Sequence, residues 1–146
     1  MNTPEKTILL FDFMRTLYDP ESTSLYPNTY NILEKLHHDY EIYIISRNEV
    51  ERRPLLSDLN IKQFLVKTFF TETKDELLFK KITENKSTRE YIIIGDYAPE
   101  EIDIGNQLHI KTIWLRQGKF KNLYPKQKPW HTIQNITELE QLLLAQ

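Results

Sequence analysis

The sequence predicts an α/β fold in which a five-stranded parallel sheet lies between two layers of helices. Three observations predict it. Short apolar runs alternate with amphipathic segments along all 146 residues, the order that gives a parallel sheet covered on both faces. Two runs, Ile8-Leu9-Leu10-Phe11 and Ile92-Ile93-Ile94-Gly95, have no polar interruption, as expected of strands buried on both sides. Each of these runs leads into an aspartate, Asp12 and Asp96. That puts a carboxylate at the carboxyl edge of the sheet, where open α/β folds place their ligands.

The elements follow in order. Ile8–Phe13 reads as the first strand. Tyr30, Leu33 and Leu36 recur at helical spacing, so Asn28–His37 reads as an amphipathic helix. Glu41–Ser46 is the second strand. Leu55, Leu56 and Leu59 fit a short helix after Pro54, a residue suited to a first helical turn. Leu65–Phe70 is the third strand. Leu77, Leu78 and Ile82 form the next helix, opened by Thr73 with Glu76 three residues on. Tyr91–Gly95 and Thr112–Leu115 are the fourth and fifth strands, joined by a helix over Ile102–His109. Gly118–Thr132, with Pro125 and Pro129, reads as the longest loop. Thr137 opens a last helix whose inner face is Leu139, Leu142 and Leu143.

Composition excludes several functions. Residues are 40% hydrophobic and 27% charged, with a net charge of −2, which suits a single globular domain over residues 1–146 and singles out no partner. There is no cysteine, so disulfides, thiolate metal sites and a cysteine nucleophile are ruled out. Met1–Lys6 carries no signal-peptide pattern, and no apolar run approaches the roughly 20 residues of a membrane span. The expected location is the cytoplasm. The four histidines show no metal-ligand spacing, and Trp114 and Trp130 read as packing residues, which argues against a nucleic-acid partner. Between Asp103 and Glu138 there is no acid, whereas Lys111, Arg116, Lys119, Lys121, Lys126 and Lys128 all fall there. The stretch is either a solvated face or an anion-attracting rim.

The strand ends carry the chemistry. Asp12 suits a divalent-cation ligand or a nucleophile toward phosphorus, although a strand-end aspartate is also a common turn residue. Ser46, ending the second strand, offers a hydroxyl to a phosphate oxygen or a helix cap. Lys74 follows the third strand, where an ammonium neutralises phosphate or simply meets solvent. Asp96 ends the fourth strand, with Glu100 and Glu101 close behind. These acids suit a cation site or the N-terminus of a helix.

Taken in order, Asp12-Phe13-Met14-Arg15-Thr16, Ser46, Lys74 and Gly95-Asp96 with Glu100 or Glu101 resemble the four motifs of the haloacid dehalogenase (HAD) superfamily. The resemblance runs from about residue 6 to 144. It implies a Rossmann-like, HAD-like core and a Mg²⁺-dependent hydrolase, most often a phosphatase, that forms an aspartyl-phosphate. Asp12 would be nucleophile and metal ligand. The Met14 main-chain carbonyl and Asp96 would complete the protein's share of the cation shell, with Glu101 as a further acid there. Ser46 and Lys74 would hold the transferring phosphoryl group. The intervals from Asp12 to Ser46 and from Ser46 to Lys74 are too short for the family's cap domain. An open site of this kind suits a phosphorylated substrate that extends to macromolecules. The oligomeric state is not legible.

The motif departs at Met14, which stands where the family's phosphatases carry a second aspartate. Methionine has no proton to donate to a leaving oxygen and cannot activate water, help typically worth about 10²–10⁴-fold. A slow phosphatase is therefore expected. The alternative is a non-catalytic HAD-like protein that binds a phosphorylated ligand or a protein. A receiver-type phosphoacceptor fits less well, because Asn2–Thr7 supplies only Glu5 near the first strand. Arg15 is expected to be a solvated side chain.

Overall fold

Successive residues of the central strands point to opposite faces, and the core divides accordingly. In a computed structural model, which describes residues 5–49, 51–84 and 89–144, β1 (Ile8–Asp12) sends Leu9 and Phe11 to one cluster and Ile8 and Leu10 to the other. β4 (Glu41–Arg47) and β6 (Tyr91–Gly95) divide the same way. The first cluster is covered by α1 (Thr29–Leu36), α2 (Arg52–Asp58) and α5 (Glu138–Leu144). The second is covered by α3 (Glu76–Thr83) and α4 (Asp103–Gln107). Two helical layers on a parallel sheet whose central strands are buried are the predicted arrangement. The amino-terminal residues 1–4, where no signal was read, lie outside the described residues. Among the described residues no helix is long and apolar enough to cross a membrane.

The sheet has six strands and not five. Its order is β5 (Leu65–Thr71), β4, β1, β6, β7 (Lys111–Leu115) and β8 (His131–Ile133), all parallel. β8 begins in the last two residues of the segment read as a loop and ends one residue past it. It has three residues and one buried side chain, Ile133, so no apolar run announces it. Pairing with β7 makes it a strand, in the register Ile113↔His131. A further hairpin, β2 (Tyr18–Asp19) and β3 (Ser24–Leu25), is also too short to show a period. Between β1 and β4 the chain builds only this hairpin and α1. Between β4 and α3 the described residues build α2, a 3₁₀ turn and β5.

Two details carry the sheet edge. α4 seats closely because Gly105 has no side chain: a Cβ there would lie 2.5 Å from Thr112 Cγ2. α4 is also preceded by a single π-helical turn, Ala98–Ile102, where the sequence suggested one regular helix from Ile102. His109 ends the segment in the left-handed region, at φ 61°.

Candidate active site

Asp12 ends β1, and the chain leaves β1 toward β4 and β5 before returning on the other side as β6. Parallel sheets open a crevice at such a reversal. The register sets Asp12 beside Ile45 and Phe11 beside Ile94, so Ser46, one residue past Ile45, and Asp96, two past Ile94, rise on either side of it. Past Asp12 the chain turns tightly. The amides of Thr16, Leu17 and Tyr18 all approach the Phe13 carbonyl, at 3.3, 2.9 and 3.1 Å. Arg15 adopts φ 65°, an uncommon conformation that clusters at functional sites. The turn returns the Thr16 hydroxyl to 3.0 Å from Asp12 Oδ2 and 3.4 Å from Asp96 Oδ1. With one proton, it donates to one carboxylate at a time.

The π-helical turn decides which glutamate enters. π-turns recur at functional sites because they displace one residue from the regular spiral. Here Glu101 folds back over β6 so closely that a Cβ on Gly95 would sit 2.9 Å from Glu101 Cγ. Glu101 is buried, whereas Glu100 turns outward to Arg47 at 2.6 Å. Lys74 enters from the segment between β5 and α3. Its side chain is 5% exposed, its ammonium hydrogen-bonds Asp12 Oδ1, and it lies 3.2 Å from Glu101 Oε1. Directly behind it, Asp75 caps α3 by accepting the Leu78 amide at 3.0 Å. That is the role the sequence gave to Thr73, whose hydroxyl instead donates to Asp75 at 3.2 Å.

All the residues nominated from sequence line one cleft of about 330 Å³: Asp12, Met14, Ser46, Lys74, Asp96 and Glu101. The buried Ser46 hydroxyl donates only a long 3.3 Å bond to the Arg47 carbonyl, so it is available to a ligand. Among the described residues no group of three His, Asp or Glu side chains is arranged to hold a metal ion. Among the described residues, Asp96 is the one carboxylate lining the cleft that has no Lys or Arg paired with it.

Three buried carboxylates face one ammonium, and the charge is unbalanced. Burial alone would lower the Lys74 pKa, but the charges of Asp12 and then Glu101 hold it above the ordinary lysine value. Burial, followed by repulsion from Asp12 and Glu101, pushes Asp96 up to about 9. Burial and then Asp12 push Glu101 up to about 8, with Lys74 pulling the other way. Asp96 Oδ2 and Glu101 Oε2 are buried with no hydrogen-bond partner among the described residues, a costly state for a carboxylate oxygen. In the metal-free protein these two acids keep protons that the unfolded chain releases near 3.8 and 4.5. Their contribution to stability is therefore complete at acid pH and lost as pH rises through 8–9. Thermal unfolding in EDTA should show Tm falling by at least about 3 °C between pH 5.5 and 8.5, the equivalent of roughly 1 kcal/mol. A flat or rising Tm would contradict this charge assignment.

Three contributors escaped the sequence reading. Thr16 was visible in the first motif but had no assigned role. Trp114, read as packing, also donates its indole N–H to the Asp96 carbonyl at 3.2 Å. Arg15 is not a free solvated side chain. It pairs with Glu21 at 3.1 Å and lies 5.9 Å from the Phe120 ring at the cleft mouth. Of the acid-free stretch, only Phe120 lines the cleft. Lys111 pairs with Glu90 at 3.0 Å, and Arg116 is folded against the Lys121 carbonyl and the Tyr124 hydroxyl. Lys119, Lys121, Lys126 and Lys128 are exposed.

No family model matches the sequence, and no curated protein matches it. Solved structures do. A haloacid dehalogenase-like hydrolase from Burkholderia xenovorans superposes with a TM-score of 0.80 at 14% identity, over 97% of this chain and 98% of that one. A HAD phosphatase from Thermococcus onnurineus gives 0.72 at 12% identity, over 95% and 98%. The HAD hydrolase YfnB of Bacillus subtilis, solved bound to magnesium, gives 0.68 at 19% identity over 82% of this chain, which spans only 56% of the Bacillus protein. The fold is that of the HAD-like hydrolases.

Proposed function

We propose that this chain, built on the HAD-like fold, is a Mg²⁺-dependent phosphomonoester hydrolase that works through an aspartyl-phosphate on Asp12, as one unit without a cap. The supporting observation is the convergence of Asp12, Ser46, Lys74 and Asp96, from four separate strand ends, on one cleft. Mg²⁺ prefers carboxylate, carbonyl and water oxygens. Asp12, Asp96 and the Met14 carbonyl are such a set. A divalent cation would satisfy the orphaned Asp96 Oδ2 and offset the surplus of buried carboxylates. When bound, it supplies positive charge to the transferring oxygens. The magnesium in the Bacillus structure is in keeping with this reading.

Each side chain then has a task. Lys74 and Ser46 bind and orient the phosphoryl oxygens, and phosphoryl transfer depends chiefly on such positioning and neutralisation. Asp12 attacks phosphorus as the bond to the leaving oxygen breaks. Lys74, bonded to Asp12 Oδ1, holds that carboxylate in place at the phosphoryl site. The leaving oxygen must then take a proton from water, because Met14 holds none. Water must likewise attack the aspartyl-phosphate without a base from that position. Both steps are slowed. A phosphorylated substrate, up to macromolecular size, suits an open cleft.

The test is turnover of 4-nitrophenyl phosphate with Mg²⁺. The expected result is measurable hydrolysis that disappears in Asp12→Asn and on adding EDTA. Equal rates in the two proteins would overturn the proposal. Met14 also supports a second reading, in which the cleft only binds phosphorylated ligands. Calorimetric binding of Mg²⁺ and phosphate with no turnover would select it.

A further inference from the structure

Beyond the four motif residues, the wall of the cleft below Ser46 contains a guanidinium with no evident structural task. Arg52, the first residue of α2, lines the cleft together with Asp12, Ser46 and Lys74. Its side chain is 12% exposed, and Nε is buried with no hydrogen-bond partner among the described residues. Its Nη2 donates to Glu49 Oε2 at 3.0 Å, the one charged partner it has among the described residues. The neighbouring arginines are differently engaged. Arg47 bonds Glu100 and the Glu72 carbonyl, and Arg53 stacks 4.0 Å over the Phe70 ring.

A guanidinium offers two parallel N–H donors along its Nε–Nη edge, matched to two oxygens of a carboxylate or phosphate. Here one Nη donor is used and Nε is orphaned, so that edge is half satisfied. The carboxylate in contact with it belongs to a side chain that is 60% exposed. An exposed ion pair of this kind is worth little, on the order of 0–1 kcal/mol, and Glu49 can rotate into water at little cost. Glu49 therefore occupies the place of an external anion.

We propose that Arg52 is a specificity residue, binding a second anionic group on the non-transferred part of the substrate and displacing Glu49 to do so. The substrate class is a small phosphomonoester that also carries a carboxylate or a second phosphate. Arg52 lines the same cleft as Ser46 and Lys74, so one molecule of this size can present an anion to each, within the wider range an open cleft admits. This inference rests on the phosphohydrolase reading but concerns the leaving portion of the substrate only.

The experiment compares matched probes. Glycerol 3-phosphate carries no second anion, 3-phosphoglycerate carries a carboxylate, and glycerol 1,3-bisphosphate carries a phosphate. Charge-assisted hydrogen bonds of this kind support about a tenfold or larger preference in kcat/KM for a two-anion probe, expressed mainly in KM. The better of the two such probes identifies the second anion. In Arg52→Gln the preference should fall to near one, and in Arg52→Lys to an intermediate value. In Glu49→Gln the KM for the two-anion probe should fall about threefold, a gain that a merely structural Arg52–Glu49 pair would not produce. An unaltered preference in Arg52→Gln, or a raised KM in Glu49→Gln, would overturn the proposal. The same probes titrated calorimetrically into Asp12→Asn protein keep the two readings separable. Arg52-dependent preference in binding without turnover in the native protein rejects the hydrolase and retains the subsite. Absence of preference in binding rejects the subsite whatever the turnover.

Discussion

Met14→Asp should raise kcat for an alkyl phosphate with a poor leaving group by about 10²–10⁴-fold, the usual range for general acid–base help. The gain in kcat/KM, which reports the first transfer, should be much smaller for 4-nitrophenyl phosphate, because 4-nitrophenolate leaves without a proton. Met14 is suited to the test. It lines the cleft, is only partly buried and packs at the margin of the larger core cluster, so a shorter polar side chain can reach the water of the cleft. The predicted cation ligand at this position is a main-chain carbonyl, which the substitution keeps, so Mg²⁺ affinity should change little. Steady-state rates on the two esters decide the matter. Native protein should also show a burst of 4-nitrophenol, because hydrolysis of the aspartyl-phosphate lacks the same group. No gain on either ester in Met14→Asp would mean that more than the acid has been lost.

Lys74→Met should destabilise the metal-free protein by about 3–5 kcal/mol, the cost of leaving buried charge without its partner. For a chain of this size, that is a fall in Tm of roughly 10 °C. Among the described residues Lys74 is the one cation bonded to Asp12 and Glu101, and its side chain is 5% exposed. Its loss leaves these carboxylates to share protons or repel. Two rescues follow. Mg²⁺ should recover part of the lost Tm, because a cation at Asp12 and Asp96 replaces part of the missing charge. Asp12→Asn should also recover part of it, since it removes one of the repelling groups. The double variant should then lie well above the sum of the two single losses. Thermal denaturation with and without EDTA measures all of this. A loss below about 1 kcal/mol in Lys74→Met would show that the carboxylates are protonated or hydrated without it.

The parallel core was legible because its strands are buried on both faces. Uninterrupted runs such as Ile8–Phe11 and Ile92–Ile94 have no other stable place in a globular chain. The helices were legible from their spacing, and the motif residues from their positions at strand ends. What escaped depended on partners that no helical or strand period brings together. β8 exists because β7 offers it a free edge. The helix expected from Ile102 begins instead as a π-turn, because Glu101 closes over a glycine six residues earlier. Arg15 was expected in solvent, yet Phe120 and Glu21 hold it at the cleft mouth.

The sequence by itself determined the layered α/β core and the carboxylates and lysine gathered at one sheet edge. Burial of a strand on two faces leaves a one-dimensional pattern, and strand ends of a parallel sheet all open on the same side. It also determined what is missing at residue 14, since no fold supplies methionine with an exchangeable proton. Tertiary structure alone decided how these groups are paired. It chose Glu101 over Glu100, placed Lys74 on Asp12, set Thr16 between Asp12 and Asp96, and left one edge of Arg52 unsatisfied. Those choices depend on distances of a few ångströms between segments far apart in the chain. Electrostatic energy in a buried cleft varies steeply over such distances, and no local sequence pattern encodes them.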